Sequence, residues 1–317
     1  MKNLLSIVIP TYNEEKLIQN TVNTVVETMT LENIPFEIVF VDDGSFDSTW
    51  KIISQNTNTH PNIKAVKFSR NFGKESAIFA GLDFAKGDCC VVMDCDLQHP
   101  PKIVVEMYKL WLLNDFDIVE GRKSSRGKES FLNRFFANLF YKLLRATSGI
   151  DLENASDFKL MDRSVVDIIK AMPERQTFFR AMSSWVGYKV TKVYFEVPKR
   201  KDDRSRWSFK SLFKLAVNSI TSYTTIPMQI VTIFGVTFFI FALAASVQTV
   251  YMKLAGKAVE GFTTVILLLL IIGSVIMFSL GIIGLYLSKI YEEIKSRPRY
   301  IVSETIGIKE GREDIGL

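Results

Sequence analysis

Over its first hundred residues the chain alternates short apolar runs with amphipathic stretches. Leu4 to Ile9, Phe36 to Val41, Ile63 to Phe68 and Cys89 to Met93 are short, rich in β-branched residues and bounded by turn formers, which predicts buried strands. Between the first two runs, Leu17, Ile18, Val22, Val25 and Val26 recur at helical spacing. A helix is therefore expected to about Thr30, with Asn13 as its N-cap and Glu14 and Glu15 in its first turn. Asp47-Ser48-Thr49 opens a second helix, and Glu75 opens a third that reaches about Ala85. Repeated β-α units of this kind predict an α/β domain on a parallel, doubly wound sheet. Tyr188 to Val197 reads as a hairpin or edge strand stopped by Pro198, and the tail beyond Arg299 reads as polar and poorly ordered.

The second half changes character. Neither Ile226–Met252 nor Gly261–Ser288 contains a charged residue. Each run exceeds the roughly 20 helical residues that cross a hydrocarbon core about 30 Å thick. Neither has the polar face of a helix packed on a soluble core. The expected organisation is a catalytic domain over 1–207, a juxtamembrane amphipathic helix over 208–225, two transmembrane helices with a short outside loop over 226–288, and a cytoplasmic tail over 289–317.

These runs explain an apolar content of 48% and a mean hydropathy of +0.15, high for a soluble enzyme. The net charge of +5 is concentrated beside them. Lys199, Arg200, Lys201, Arg204, Arg206, Lys210 and Lys214 precede the first span, and Lys289, Lys295, Arg297 and Arg299 follow the second. The positive-inside rule then puts both termini in the cytoplasm of a multi-pass protein of the cell membrane, and no secretory leader is expected. A basic patch abutting two spans fits anionic lipid better than nucleic acid. Phe131 to Thr147 is a basic amphipathic stretch that suits either a membrane interface or packing on the sheet, and Ser208 to Tyr223 has a similar character. Cys89, Cys90 and Cys95 lack zinc-site spacing and read as small buried hydrophobes in a reducing compartment.

The chemistry is expected where the fourth strand ends in Asp94-Cys95-Asp96. If strand geometry persists through Cys95, alternation points Asp94 and Asp96 the same way. Two carboxylates converging at the carboxyl edge of an open sheet suit a Mg²⁺ or Mn²⁺ ion held jointly with substrate phosphates. No Gly-x-Gly-x-x-Gly or Gly-Lys-Ser/Thr loop follows the first strand, so Rossmann and P-loop nucleotide sites are disfavoured. His99 reads as a loop histidine rather than a ligand.

Three segments in order, Pro10-Thr11-Tyr12-Asn13-Glu14, Val41-Asp42-Asp43-Gly44-Ser45 with Asp47 and Thr49, and Asp94-x-Asp96-x-Gln98-x-Pro100, resemble the family-2 glycosyltransferases. With two C-terminal spans, the resemblance narrows to the polyprenyl-phosphate type, relatives of dolichyl-phosphate mannose synthase and bactoprenol glucosyltransferases. It covers roughly Leu4 to Arg299. The resemblance implies a GT-A fold in which Pro10, Tyr12 and Glu14 line the nucleoside pocket. Asp42 or Asp43 would bond the base or ribose, and Asp94 and Asp96 would hold the metal against the diphosphate, with Asp96 counted among the catalytic residues. Lys74 matches the family's Gly-Lys turn and faces either the nucleotide or solvent. Asp157 matches the acidic position on the acceptor side, as a base or as a positioning group. Arg200, Arg204, Ser205 and Arg206 resemble the acceptor-phosphate segment, although Asp203 replaces its usual glycine, and Arg122 and Arg126 are weaker candidates. A polybasic lipid-surface patch is the other reading of this segment.

The implied activity is inverting transfer of a hexose from a nucleotide sugar, UDP-glucose or UDP-N-acetylglucosamine, to undecaprenyl phosphate at the cytoplasmic membrane face. The alternatives are an inactive nucleotide-sugar-binding sensor or scaffold, or a polysaccharide synthase, which two spans are too few to serve as a channel. Self-association is left open.

Overall fold

The computed structural model describes residues 3–113, 115–124, 156–174, 178–196, 226–256 and 261–308. These fall into two compact units, one holding residues 3–196 and 297–308, the other 226–296.

The first unit is built on one eight-stranded sheet, ordered β7-β5-β6-β4-β1-β2-β3-β8. Its central strands are β1 (Leu5–Thr11), β2 (Phe36–Asp42), β3 (Ile63–Phe68) and β4 (Cys89–Val92), all parallel. Every residue of β1 is buried, as its near-continuous apolar run requires of a strand covered on both faces. Leu5, Ile7 and Ile9 enter one core with α1 (Ile18–Leu31), α2 (Thr49–Thr59) and α4 (Pro101–Leu112). Val8 enters the other core with α3 (Lys74–Phe84), α5 (Arg163–Ala171) and α6 (Phe179–Trp185). The period-2 alternation of a strand thus divides one sequence between two layers. At Gly81 a Cβ would come within 2.1 Å of Val8 Cγ1, so glycine lets α3 lie close on β1.

Cys89 lies in the first core and Cys90 in the second, and Cys95 is buried too. Burial raises all three thiols, Cys90 to about 11 and Cys95 to about 12, so they stay protonated and inert.

Several expectations are corrected. The sheet is mixed: β6 (Lys159–Asp162) runs antiparallel to both β4 and β5 (Ile118–Lys123), and the edge strand β7 (Val190–Phe195) is parallel to β5. Asn13 does not cap α1, whose N-cap position is Leu17; Asn13 instead takes a left-handed φ of 55° in the preceding loop. The described part of the polar tail, to residue 308, is not loose. Val302–Ile306 forms β8, antiparallel to β3. Tyr300 stacks on Phe68 at 5.0 Å and donates to Asp83 Oδ2 at 2.7 Å, and Arg299 bonds the carbonyls of Met172 and Glu174. Alternating polar residues hide such an edge strand in the sequence, because only one of its sides needs a partner.

The second unit contains α7 (Ile226–Leu254) and α8 (Phe262–Ile294). Within them Met228–Leu254 and Ile271–Ile294 are long and apolar enough to cross a membrane, and none of their most apolar stretch is covered by protein. They are therefore not core helices. β8 follows both helices in the chain and pairs with β3 of the first unit.

Candidate active site

The parallel register brings the predicted segments to one edge. Thr11 pairs with Asp42, Val8 pairs with Val92, and Met93 N–H donates to the Val8 carbonyl at 3.0 Å, so β1, β2 and β4 release their loops side by side.

The loops after β1 and β2 are laced together. Asn13 N–H donates to Ser45 Oγ at 2.9 Å, and Phe46 N–H returns to Asn13 Oδ1 at 2.9 Å. Glu14 N–H donates to Thr49 Oγ1 at 2.8 Å, and Glu15 N–H to Asp47 Oδ2 at 3.3 Å. Asp47 and Thr49 therefore hold loops. Pro10 is buried within β1, whereas Tyr12 is exposed and meets Phe46 edge-on at 6.4 Å. Phe46, 85% exposed, carries no sequence signal that sets it apart from other loop aromatics.

The paired acids divide. Asp43 Oδ1 accepts from Phe72 N–H at 2.6 Å and Oδ2 from Gly73 N–H at 2.9 Å, which occupies both oxygens in holding the loop before α3. Asp42 is fully buried; its Oδ1 accepts from the Ser45 backbone and hydroxyl, and its Oδ2 has no hydrogen-bond partner among the described residues. Burial raises both carboxyls. A buried acceptor without a donor is costly, so Asp42 Oδ2 is suited to receive an N–H or hydroxyl from a ligand. Gly44, at φ 71°, is required because a Cβ would lie 2.5 Å from the Arg70 carbonyl carbon.

Strand geometry does not persist through Cys95: β4 ends at Val92, and the acids lie in the turn beyond it, where Cys95 is buried with its carbonyl accepting from Thr21 Oγ1 at 2.6 Å and Asp94 and Asp96 on either side are half-buried. Asp96 Oδ1 accepts from Gln98 N–H at 3.1 Å. His99 Nδ1 accepts from Asp94 N–H at 3.0 Å, and its ring stacks on Phe158 at 4.5 Å. Burial lowers its pKa, so His99 is a neutral pin for the acidic loop. Asp94 and Asp96 supply hard oxygen donors of the type Mg²⁺ or Mn²⁺ prefers, but no cluster of three or more ligating side chains occurs among the described residues. They fit a site completed by substrate phosphates.

A charge cluster faces this loop. Lys74, half-exposed at the start of α3, lies 2.6 Å from Asp94 Oδ1 and 3.0 Å from Asp157 Oδ2. Burial would lower its ammonium, but the two carboxylates outweigh it and raise the pKa. Asp157 is almost wholly buried and receives a bidentate grip from Arg180, Nε to Oδ1 at 2.7 Å and Nη2 to Oδ2 at 3.0 Å. Burial opposes ionisation there, yet Arg180 and Lys74 prevail and hold Asp157 well below the carboxylate range. Such an anion is a poor proton acceptor at neutral pH.

Neither Arg180 nor Glu75 emerged from the sequence. Glu75 adjoins the Gly73-Lys74 turn, and Arg180 has no local signal. Arg122 is not brought to this cluster: it is buried and donates through Nε to Glu120 Oε2 at 2.9 Å. Glu120 also lies 3.4 Å from Lys159. Arg126, Arg200, Arg204, Ser205, Arg206 and both amphipathic stretches lie outside the described residues.

With this geometry in place, a model of the family described as glycosyl transferase family 2 matches residues 6–169. The chain belongs to glycosyltransferase family 2. A prophage bactoprenol glucosyl transferase homolog of Escherichia coli strain K12 is 37% identical over 303 residues, 94% of this chain and 98% of that one. The bactoprenol glucosyl transferase of Shigella phage SfV is 36% identical over 306 residues, covering 94% and 97%. An uncharacterized glycosyltransferase of Synechocystis sp. is 38% identical over 307 residues, covering 96% of each chain. Among solved structures, glucosyl-3-phosphoglycerate synthase from Mycobacterium tuberculosis, in complex with phosphoglyceric acid, is 21% identical with a TM-score of 0.48, covering 70% of this chain and 79% of that one. For this family-2 member the mixed sheet with helices on both faces is a GT-A-like fold, followed by two candidate membrane spans.

Proposed function

We propose that this glycosyltransferase moves a hexose from a UDP-sugar to undecaprenyl phosphate at the cytoplasmic face of the membrane, with inversion at the anomeric carbon. One observation carries the acceptor: similarity to bactoprenol glucosyl transferases runs nearly end to end through both chains, apolar helices included. The return of β8 to the sheet supports a catalytic unit and C-terminal segment on one side, and the flanking basic residues favour the cytoplasm.

In this reading Asp42 Oδ2 takes a donor from the nucleoside, and Tyr12, with Phe46 beside it, offers aromatic surface to the base. Pro10 and Glu14 shape the pocket floor and entrance. Asp94 and Asp96 are the residues that would hold Mg²⁺ or Mn²⁺, which when bound screens the charge of the leaving nucleoside diphosphate. Lys74 stands beside the same phosphates and balances Asp94 while the site is empty of substrate. An oxygen of the acceptor phosphate forms the new bond to the anomeric carbon as the bond to the donor diphosphate breaks. That oxygen is already ionised near neutral pH, so no base is needed, and Asp157 orients the acceptor or the sugar. Arg200, Arg204, Ser205 and Arg206 are proposed to engage the acceptor phosphate, since guanidinium groups bind phosphate bidentately; Arg122, buried against Glu120, is the weakest member of that set.

Membranes containing the protein, supplied with labelled UDP-glucose and UDP-N-acetylglucosamine in separate reactions, should yield a labelled lipid that releases the sugar on mild acid. Donor binding without any labelled lipid, with undecaprenyl phosphate added, would refute the transferase reading in favour of a sensor.

A further inference from the structure

Glu75 sits at the first turn of α3, next to Lys74, with its carboxylate turned toward α6. Its Oε2 accepts from the Phe179 N–H at 2.8 Å. Phe179 opens α6, and the next residue is Arg180, which grips Asp157 through both carboxylate oxygens. Two neighbours on α3 and two on α6 therefore converge on one acid. Lys74 and Arg180 touch Asp157 directly, and Glu75 ties the backbone that carries Arg180. The Phe178 N-cap position offers no side-chain cap, so Glu75 serves a backbone N–H of the first turn of α6 from another helix.

We propose that Glu75 is a positioning residue for sugar transfer: by holding the first turn of α6 it fixes Arg180, and through Arg180 it fixes the orientation of Asp157 against Lys74. This rests on the reading of Asp157 given above. The groups facing Glu75 are Asp157, Arg180 and Lys74, from three separate segments. Burial, with a smaller push from Asp157, raises the Glu75 carboxyl to about 7, while the Phe179 N–H, Arg180 and Lys74 oppose the rise. Glu75 thus changes charge near neutral pH, whereas Asp157 stays ionised throughout. Ionised Glu75 draws on the same two cations as Asp157, which links the pH of the medium to how tightly Asp157 is held.

The test compares full-length wild type, Glu75→Ala and Glu75→Gln in lipid nanodiscs, using UDP-glucose and undecaprenyl phosphate as probes. Glutamine keeps an oxygen to accept from Phe179 N–H but cannot titrate. Glu75→Ala should lower kcat about tenfold or more with the KM for UDP-glucose within about twofold, the pattern of misplaced rather than lost binding groups. Wild-type kcat should show an inflection near pH 7, and Glu75→Gln should recover most of the kcat lost in Glu75→Ala and lose that inflection. Wild-type kcat in Glu75→Ala, or an unchanged inflection in Glu75→Gln, overturns the proposal.

A second measurement needs no turnover. An acid whose folded pKa is raised binds its proton in the folded state at pH values where the unfolded chain has lost it, so stability declines as pH rises toward that pKa. The Tm of Glu75→Gln should therefore gain on wild type between about pH 5 and pH 7 and then level off. Parallel Tm curves count against the assigned environment of Glu75. A wild type that transfers no sugar while the Tm curves diverge overturns the transferase reading and leaves the Glu75–Phe179 tie standing.

Discussion

Replacing Arg180 with methionine keeps the length of the side chain and deletes the guanidinium that holds Asp157. Asp157 is buried, and its two oxygens receive Arg180 at 2.7 and 3.0 Å and Lys74 at 3.0 Å. Breaking a fully buried pair costs about 3–5 kcal/mol. Here the Arg180 side chain is 39% exposed and Lys74 remains, so screening and the surviving partner reduce the loss to about 2 kcal/mol. For a unit of this size that lowers Tm by roughly 4–8 °C. The sign with pH follows from the depressed carboxyl. Its stabilising contribution is present above the unfolded value of about 3.9 and is lost as pH falls through the folded value. The Tm deficit of Arg180→Met should therefore be full at pH 7 and shrink below about pH 4. Asp157→Asn should remove most of what Arg180 stabilises, so the double variant should fall close to Asp157→Asn rather than to the sum of the two. Differential scanning fluorimetry in nanodiscs reads the stability, and lipid-linked sugar formation reads a loss of about tenfold or more. A Tm within about 1 °C of wild type, with unchanged turnover, would refute the argument that this ion pair organises the site.

Asp94→Ala and Asp96→Ala should each abolish detectable transfer, and chelation of divalent ions should do the same to wild type, with activity returning on addition of Mg²⁺ or Mn²⁺; full turnover in excess chelator contradicts the metal assignment. Asp42→Asn should weaken UDP binding by about tenfold, measured by calorimetry, because the orphan acceptor is replaced on one side by a donor; unchanged affinity would remove Asp42 from the nucleoside pocket. Tyr300→Ala should cost about 2–4 kcal/mol by deleting the stack on Phe68 and the bond to Asp83. It should also loosen β8, read as faster amide exchange in Val302–Ile306; unaltered exchange there would mean the β3 ladder alone secures the strand.

Local sequence was enough to locate the parallel centre of the sheet, the two long apolar helices and the loop that carries the acids. Those features rest on periodicity, length and short spacing, which act over a few residues: an all-apolar run between turns has little choice but a buried central strand, and the acids follow the last residues of that run. Only the packed fold distinguishes the surroundings of the acids. Asp42 and Asp43 are chemically alike and adjacent, and only the approach of the Phe72–Gly73 backbone occupies one and leaves the other with an open oxygen. Arg180 and Glu75 reached the site through the packing of α6 against α3, across about a hundred residues of sequence, where no local pattern records the contact. The same holds for β8, whose alternating polar residues become a strand only because β3 presents an unpaired edge. Contacts of long separation cost chain entropy to close and depend on the whole core to form, so their partners become legible only once the chain has folded.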